Sequence, residues 1–129
     1  MREYKFRGKR LDNGEWVYGS LYGAQYQETG KVGIMTAEQA GDVAIIDEVF
    51  SQTVGQYTGL KDRNGQEVYE GDVVVSGNHF YECKWNHHRA EWAWYAEGAY
   101  IYPIGDMRLG LEVIGNIYEG WGETLCQKV

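Results

Sequence analysis

Short strand-like runs recur along this chain between turn residues, and no stretch sustains a long helical period. Tyr4, Phe6 and Gly8 alternate with Lys5, Arg7 and Lys9, the pattern of a half-buried strand. Asp12-Asn13-Gly14 interrupts it with residues that accept turn geometry, and Glu15 to Tyr22 resumes it. The opening segment therefore predicts a β-hairpin. Ala24 to Val32 is polar and flanked by glycine, and predicts a loop. Thr36 to Ala40 predicts one short helical turn capped by Thr36, and Val43 to Ile46 one brief buried strand.

From Thr53 onward the strands crowd together. Tyr57 to Leu60 and Glu67 to Tyr69 flank a polar turn segment, Lys61 to Gln66, that holds the pair Asn64-Gly65. Val73 to Val75, Phe80 to Trp85, Trp92 to Ala96, Tyr100 to Ile104 and Leu111 to Tyr118 follow as strands. Gly115 interrupts the last of these and predicts a bulge. This spacing predicts an N-terminal β-hairpin region over residues 1–52 and a small barrel or sandwich over residues 53–129. No Pro- or Ser-rich linker separates them, so they are expected to pack together.

Composition agrees with an all-β fold. Val, Ile, Thr, Phe, Trp and Tyr total 42, against 17 for Ala, Leu and Met. Branched and aromatic side chains suit a pleated surface, whereas Ala and Leu lose least in a helix. The 18 glycines are about twice the average share, as many tight turns and bulges require. With 129 residues the chain can bury a core without disulfides or metals. Its two cysteines, Cys83 and Cys126, suit a reducing cytosol better than a secreted disulfide framework. No apolar run is long enough for a membrane span, and the charged opening lacks the apolar run of a secretory signal.

Charge narrows the partners. Twelve basic against nineteen acidic residues give a net charge of −7, which argues against a general coat for nucleic acid. Five of the twelve cations nevertheless fall within the first ten positions. Lys5, Arg7 and Lys9 stand on one face of the first strand. Such a stripe can contact nucleic acid or another anion, or can keep an edge strand from pairing. The edge-protecting reading is favoured.

Gly55 to Gly65 reads Gly-Gln-Tyr-Thr-Gly-Leu-Lys-Asp-Arg-Asn-Gly and runs into Val68-Tyr69-Glu70-Gly71-Asp72-Val73-Val74. That stretch resembles the signature of the YopX family of phage and prophage proteins. The opening Arg2 to Arg7 and the late Glu112 to Glu119 resemble two further landmarks of that family, in the right order. Arg7-Gly8-Lys9-Arg10 departs from it where many members continue Ala-Trp-Asp. The resemblance implies an all-β protein whose C-terminal part is an SH3-like barrel, and residence in the cytoplasm of a bacterial host. It implies no reaction.

Within the signature, Gly59, Asp62, Asn64, Gly65, Glu70, Gly71 and Asp72 are candidate structural residues. Paired carboxylates can bind a cation or act as acid and base, but Asp beside Gly or Asn more often accepts backbone N–H bonds in a turn. His79, Cys83, His87 and His88 are zinc-ligand types within ten residues. Four residues of strand span about 13 Å, too far for shared zinc ligation, so no metal site is expected. Cys83 lacks an identifiable base and orienting group, and neither a phosphate loop nor a nucleophile elbow is present. The expectation is a non-enzymatic module without a cofactor.

The richest surface candidate is aromatic: Trp85, Trp92, Trp94, Tyr95, Tyr100 and Tyr102. Alternation places Trp92 and Trp94 on one face and Tyr95 on the other, more ring area than one small core needs. Part of it is expected in an interface between copies of the chain or with a host or phage protein. The alternative is stacking of single-stranded nucleic acid on these rings, assisted by the basic first strand.

Overall fold

The computed structural model describes residues 5–22, 31–36, 45–104 and 110–119. All regular elements among them are strands apart from two short 3-10 turns, so the protein is all-β. The chain divides into two compact units, residues 1–57 and 58–129.

The first unit holds β1 (Phe6–Lys9), β2 (Trp16–Tyr22), β3 (Lys31–Thr36), β4 (Ile45–Phe50) and the start of β5 (Gly55–Lys61). They are antiparallel in the order β4-β3-β2-β1-β5, so β1 is flanked on both sides. Period-two alternation puts Val32, Ile34 and Val49 on one face, where they form a buried cluster with Phe6, Val17 and Val54 against it. The sheet curls strongly enough for Arg10 to bridge back to Val49 and for the Leu11 N–H to bond Glu48 O at 3.0 Å. Gly19 permits that close approach: a Cβ there would run into the Met35 carbonyl oxygen. Thr53, in the 3-10 turn Ser51–Thr53, accepts from Lys9 N and donates to Phe50 O.

This unit is larger than the predicted hairpin. The segment read as a loop ends in strand, with Lys31 and Val32 opening β3, because Val32 and Ile34 can bury only beside Val49. The expected strand near Val43 begins at Ile45, and Ile45 and Ile46 are exposed rather than buried. Thr36 ends β3; the rest of the expected helical turn lies outside the described residues.

The second unit holds the later part of β5 beside β6 (Glu67–Tyr69), and a five-stranded antiparallel sheet. That sheet comprises β7 (Asp72–Ser76), β8 (His79–Asn86), β9 (Glu91–Ala96), β10 (Ala99–Pro103) and β11 (Glu112–Asn116), in the order β10-β9-β8-β7-β11. It is open, with β10 and β11 at its edges, rather than the closed SH3-like barrel expected. The core gathers Val68, Val74, Cys83, Trp94 and Leu111, with Leu60, Tyr81, Trp92, Ile104 and Val113 packed against it. The register of β11 on β7 shifts between Val113 and Gly115, the bulge predicted at Gly115. No helix among the described residues is long and apolar enough to cross a membrane.

Candidate functional site

The signature carboxylates build turns. Asp62 is buried at the start of the β5–β6 connection, where its Oδ1 accepts the backbone N–H of Asn64 at 2.8 Å and of Gln66 at 2.9 Å. Its Oδ2 accepts the Val113 N–H at 2.9 Å, tying β11 to the turn. Burial alone raises this carboxyl, but the bonds from Val113, Gln66 and Asn64, with the charge of Arg63, outweigh it and hold it below the ordinary value. Arg63 also pairs with Glu112 at 2.8 Å. Asp72 is buried as well, and its Oδ2 accepts the Tyr69 N–H at 2.7 Å.

Between these two aspartates the chain turns at Gly71, whose φ of 91° disfavours any side chain. Tyr118 lies over it, its Cε2 3.0 Å from where a Cβ would stand. The Gly71 N–H bonds Cys83 O, and Gly71 O accepts from Ile117 N. Gly59 and Gly65 are exposed. Glu70 is half-buried and acts on Glu82 of β8. Burial pushes the Glu82 carboxyl up, Lys84 opposes the shift, and Glu70 adds to it.

The zinc-type residues do not converge. Cys83 is fully buried in the core, whereas His79, His87 and His88 are exposed. Among the described residues no group of three potential ligands forms; Cys126 lies outside them.

The aromatic group divides. Trp94 is fully buried in the core, its indole N–H 3.4 Å from Ile104 O, which removes it from any interface. Trp92 packs against the same core and meets Trp85 edge-to-face at 5.0 Å, because β8 and β9 place the two directly opposite. Tyr95 and Tyr100 stack edge-to-face at 5.9 Å on the other side of the sheet. Lys84 lies over Tyr95, Arg89 lies over Tyr100, and the Tyr100 hydroxyl donates to Glu91 at 2.8 Å. Most of the expected surplus is thus taken up by the core and by cross-strand pairs. Tyr102 belongs to β10, and its side chain lies outside the described residues.

Arg7 and Lys9 share one face of β1, as the alternation required, and Lys5 immediately precedes the strand. They do not protect an edge, because β1 is an inner strand paired with β2 and β5. Instead they cover rings on the same face. The Arg7 guanidinium sits 4.6 Å from the Trp16 ring centre, Lys9 5.7 Å from the same ring, and Lys5 5.6 Å from that of Tyr57. Arg7 is itself buried.

Large exposed apolar side chains concentrate in the first unit, where sequence reading did not place them. Tyr18, Leu21, Tyr22, Ile45, Ile46 and Phe50 are each 40–48% exposed. Ile101 is the one comparable residue of the second unit among those described. The signal available in the sequence was Ile45-Ile46 followed by Asp47-Glu48, an apolar pair entering a charged strand without alternation.

No curated protein matches the chain. Its structure is similar to that of protein EF1440 from Enterococcus faecalis, known from a crystal structure, with a TM-score of 0.52 and 22% identity. The match covers 95% of this chain and 98% of that one, and at such identity it establishes a shared fold alone. The YopX protein family matches over residues 5–120, nearly the whole chain, and the chain belongs to that family.

Proposed function

We propose that this chain is a non-enzymatic accessory protein of phage or prophage origin that self-associates and binds a host or phage protein in the bacterial cytoplasm. The observation that carries this reading is β4, an outer strand with apolar side chains exposed on both of its faces. By register, Ile46 and Phe50 stand on the face of Met35, and Ile45 on the opposite face with Val49. A solvated strand gains nothing from such residues, whereas a strand bedded against a second chain buries them at about 25 cal/mol per Å². The signature carboxylates support the non-enzymatic part, since Asp62 and Asp72 accept backbone N–H bonds.

Sedimentation velocity over a range of concentrations tests the reading. The wild-type chain is expected to run as a dimer or larger species, and an Ile45→Asp/Phe50→Asp variant as a monomer with an unchanged melting temperature. A wild-type chain that stays monomeric at the highest concentration overturns self-association.

A further inference from the structure

We propose that Asn64, in the exposed turn between β5 and β6, is a self-modifying site that deamidates to aspartate and isoaspartate with water as the co-reactant. The inference is independent of self-association through β4.

An asparagine carboxamide is open to attack by the backbone nitrogen of the residue that follows it. The attack is easiest before glycine, which has no side chain to crowd that nitrogen. Two Asn-Gly pairs occur in the chain, Asn13-Gly14 and Asn64-Gly65, and all four residues are exposed. Both glycine nitrogens are engaged alike, Gly14 N–H with Arg10 O and Gly65 N–H with Asp62 O, each at 3.0 Å. The carboxamides are not. Asn13 Oδ1 accepts the Glu15 N–H at 2.9 Å, which holds that side chain in a turn of its own. Among the described residues the Asn64 carboxamide makes no hydrogen bond; its backbone N–H is held by Asp62 instead. Asn86 and Asn116 also accept backbone N–H bonds through Oδ1, and Asn78 precedes His79 rather than glycine.

The reaction needs a local opening, the release of the Gly65 N–H from Asp62 O, of the kind exposed turns undergo. The freed nitrogen gives its proton to water or hydroxide and bonds to Asn64 Cγ. The carboxamide C–N bond breaks and ammonia leaves. Water then opens the five-membered imide at either carbonyl. One opening gives aspartate; the other gives isoaspartate, which carries an extra methylene in the backbone.

Either product acts on the turn. Aspartate adds a negative charge two residues from the buried Asp62. Isoaspartate lengthens the backbone between the Asn64 and Gln66 N–H groups, which share Asp62 Oδ1. The same Asp62 holds β11 through the Val113 N–H, so modification at position 64 loosens the second unit.

The test ages the whole folded chain at mildly alkaline pH and follows each asparagine by peptide mapping and mass spectrometry, reading the mass gain of exchanging NH2 for OH. The gain at Asn64 is expected about 5-fold faster than at Asn13, the equivalent of the one neutral hydrogen bond that Asn13 must give up. Labelling with an isoaspartyl methyltransferase should mark the peptide that contains position 64. In urea the two Asn-Gly rates should converge. Aged wild type should melt at a lower temperature than fresh protein, whereas Asn64→Ser aged in parallel should not change. A folded-state rate at Asn64 no faster than at Asn13 overturns the proposal. So does a difference that persists in urea, which would assign it to flanking sequence rather than to the fold. Equal melting of aged and fresh wild type overturns the effect on the second unit.

Discussion

Both units are made of short antiparallel strands rich in branched and aromatic residues, yet they dispose of their apolar surface differently. In the second, Trp94 and Cys83 fill the core, and the rings outside it pair across strands or lie under Lys84 and Arg89. Its edge strands are also irregular. β10 shifts register between Tyr100 and Tyr102 and ends at Pro103, and β11 shifts at Gly115. Bulges and proline at edges discourage pairing with another chain. In the first unit, β4 keeps an unbroken register with β3 over six residues and exposes Ile45, Ile46 and Phe50. The contrast teaches that the aromatic-rich half is the self-contained one. Most of the large exposed apolar side chains among the described residues lie where the sequence is less conspicuous.

Four substitutions can break or sharpen that contrast, taken from the largest expected effect downward. Trp94→Ala empties the centre of the second core and is expected to cost about 3–5 kcal/mol in urea unfolding. Hydrogen exchange should accelerate in β7 to β9 and much less in β1 to β4; uniform acceleration would dissolve the distinction between the units.

Asp62→Ala comes next. It leaves three backbone N–H groups without their acceptor, for about 2–4 kcal/mol. The pH dependence follows from the lowered carboxyl. Its contribution is in place above the usual 3.8 of a free Asp and is lost as pH falls through the lower folded value. Acid titration of stability should therefore be steeper for the wild type than for Asp62→Asn below about pH 4.

Gly19→Ala probes the first unit. The added methyl meets the Met35 carbonyl oxygen, so β2 and β3 must separate, at a cost of about 1–3 kcal/mol. Exchange should rise at the β2–β3 ladder while exchange in β7 to β9 stays native-like.

The smallest effect belongs to Glu82→Gln. The folded Glu82 carboxyl titrates above its ordinary value, so a penalty on folding sets in as pH rises above 4.5 and is complete once pH passes the folded value. The variant should be more stable than wild type at pH 7 by about a few tenths of a kcal/mol, because the partly exposed site is screened by water. The gain should vanish below the ordinary Glu value of 4.5. A gain that persists there would point to a cause other than charge.

Much of this was legible beforehand. Strands β5 to β11, the turn at Asn64-Gly65 and the bulge at Gly115 follow from alternation and turn chemistry, which act between neighbours in the chain. The family signature marked Asp62, Gly71 and Asp72, and local geometry explains why: each satisfies or shapes a turn. Register is another matter. Whether β1 lies at an edge depends on β5 pairing beside it, some fifty residues away in sequence. Reading Lys5, Arg7 and Lys9 as edge protection failed for that reason.

Burial follows the same division. Alternation assigns Trp92 and Trp94 to one face, but only the assembled sheet decides that this face is the core and that Tyr95 and Tyr100 satisfy one another. Ile45 and Ile46 look like core in the sequence and stand exposed, because β4 is an outer strand whose inward position is filled by Val49. The sequence by itself determined the all-β class, the turns and the family, since propensity and patterning are local. Tertiary structure decided which strand lies inside, which ring is solvated and which rings Lys5, Arg7 and Lys9 cover. Those outcomes depend on pairings between segments that no short-range pattern encodes.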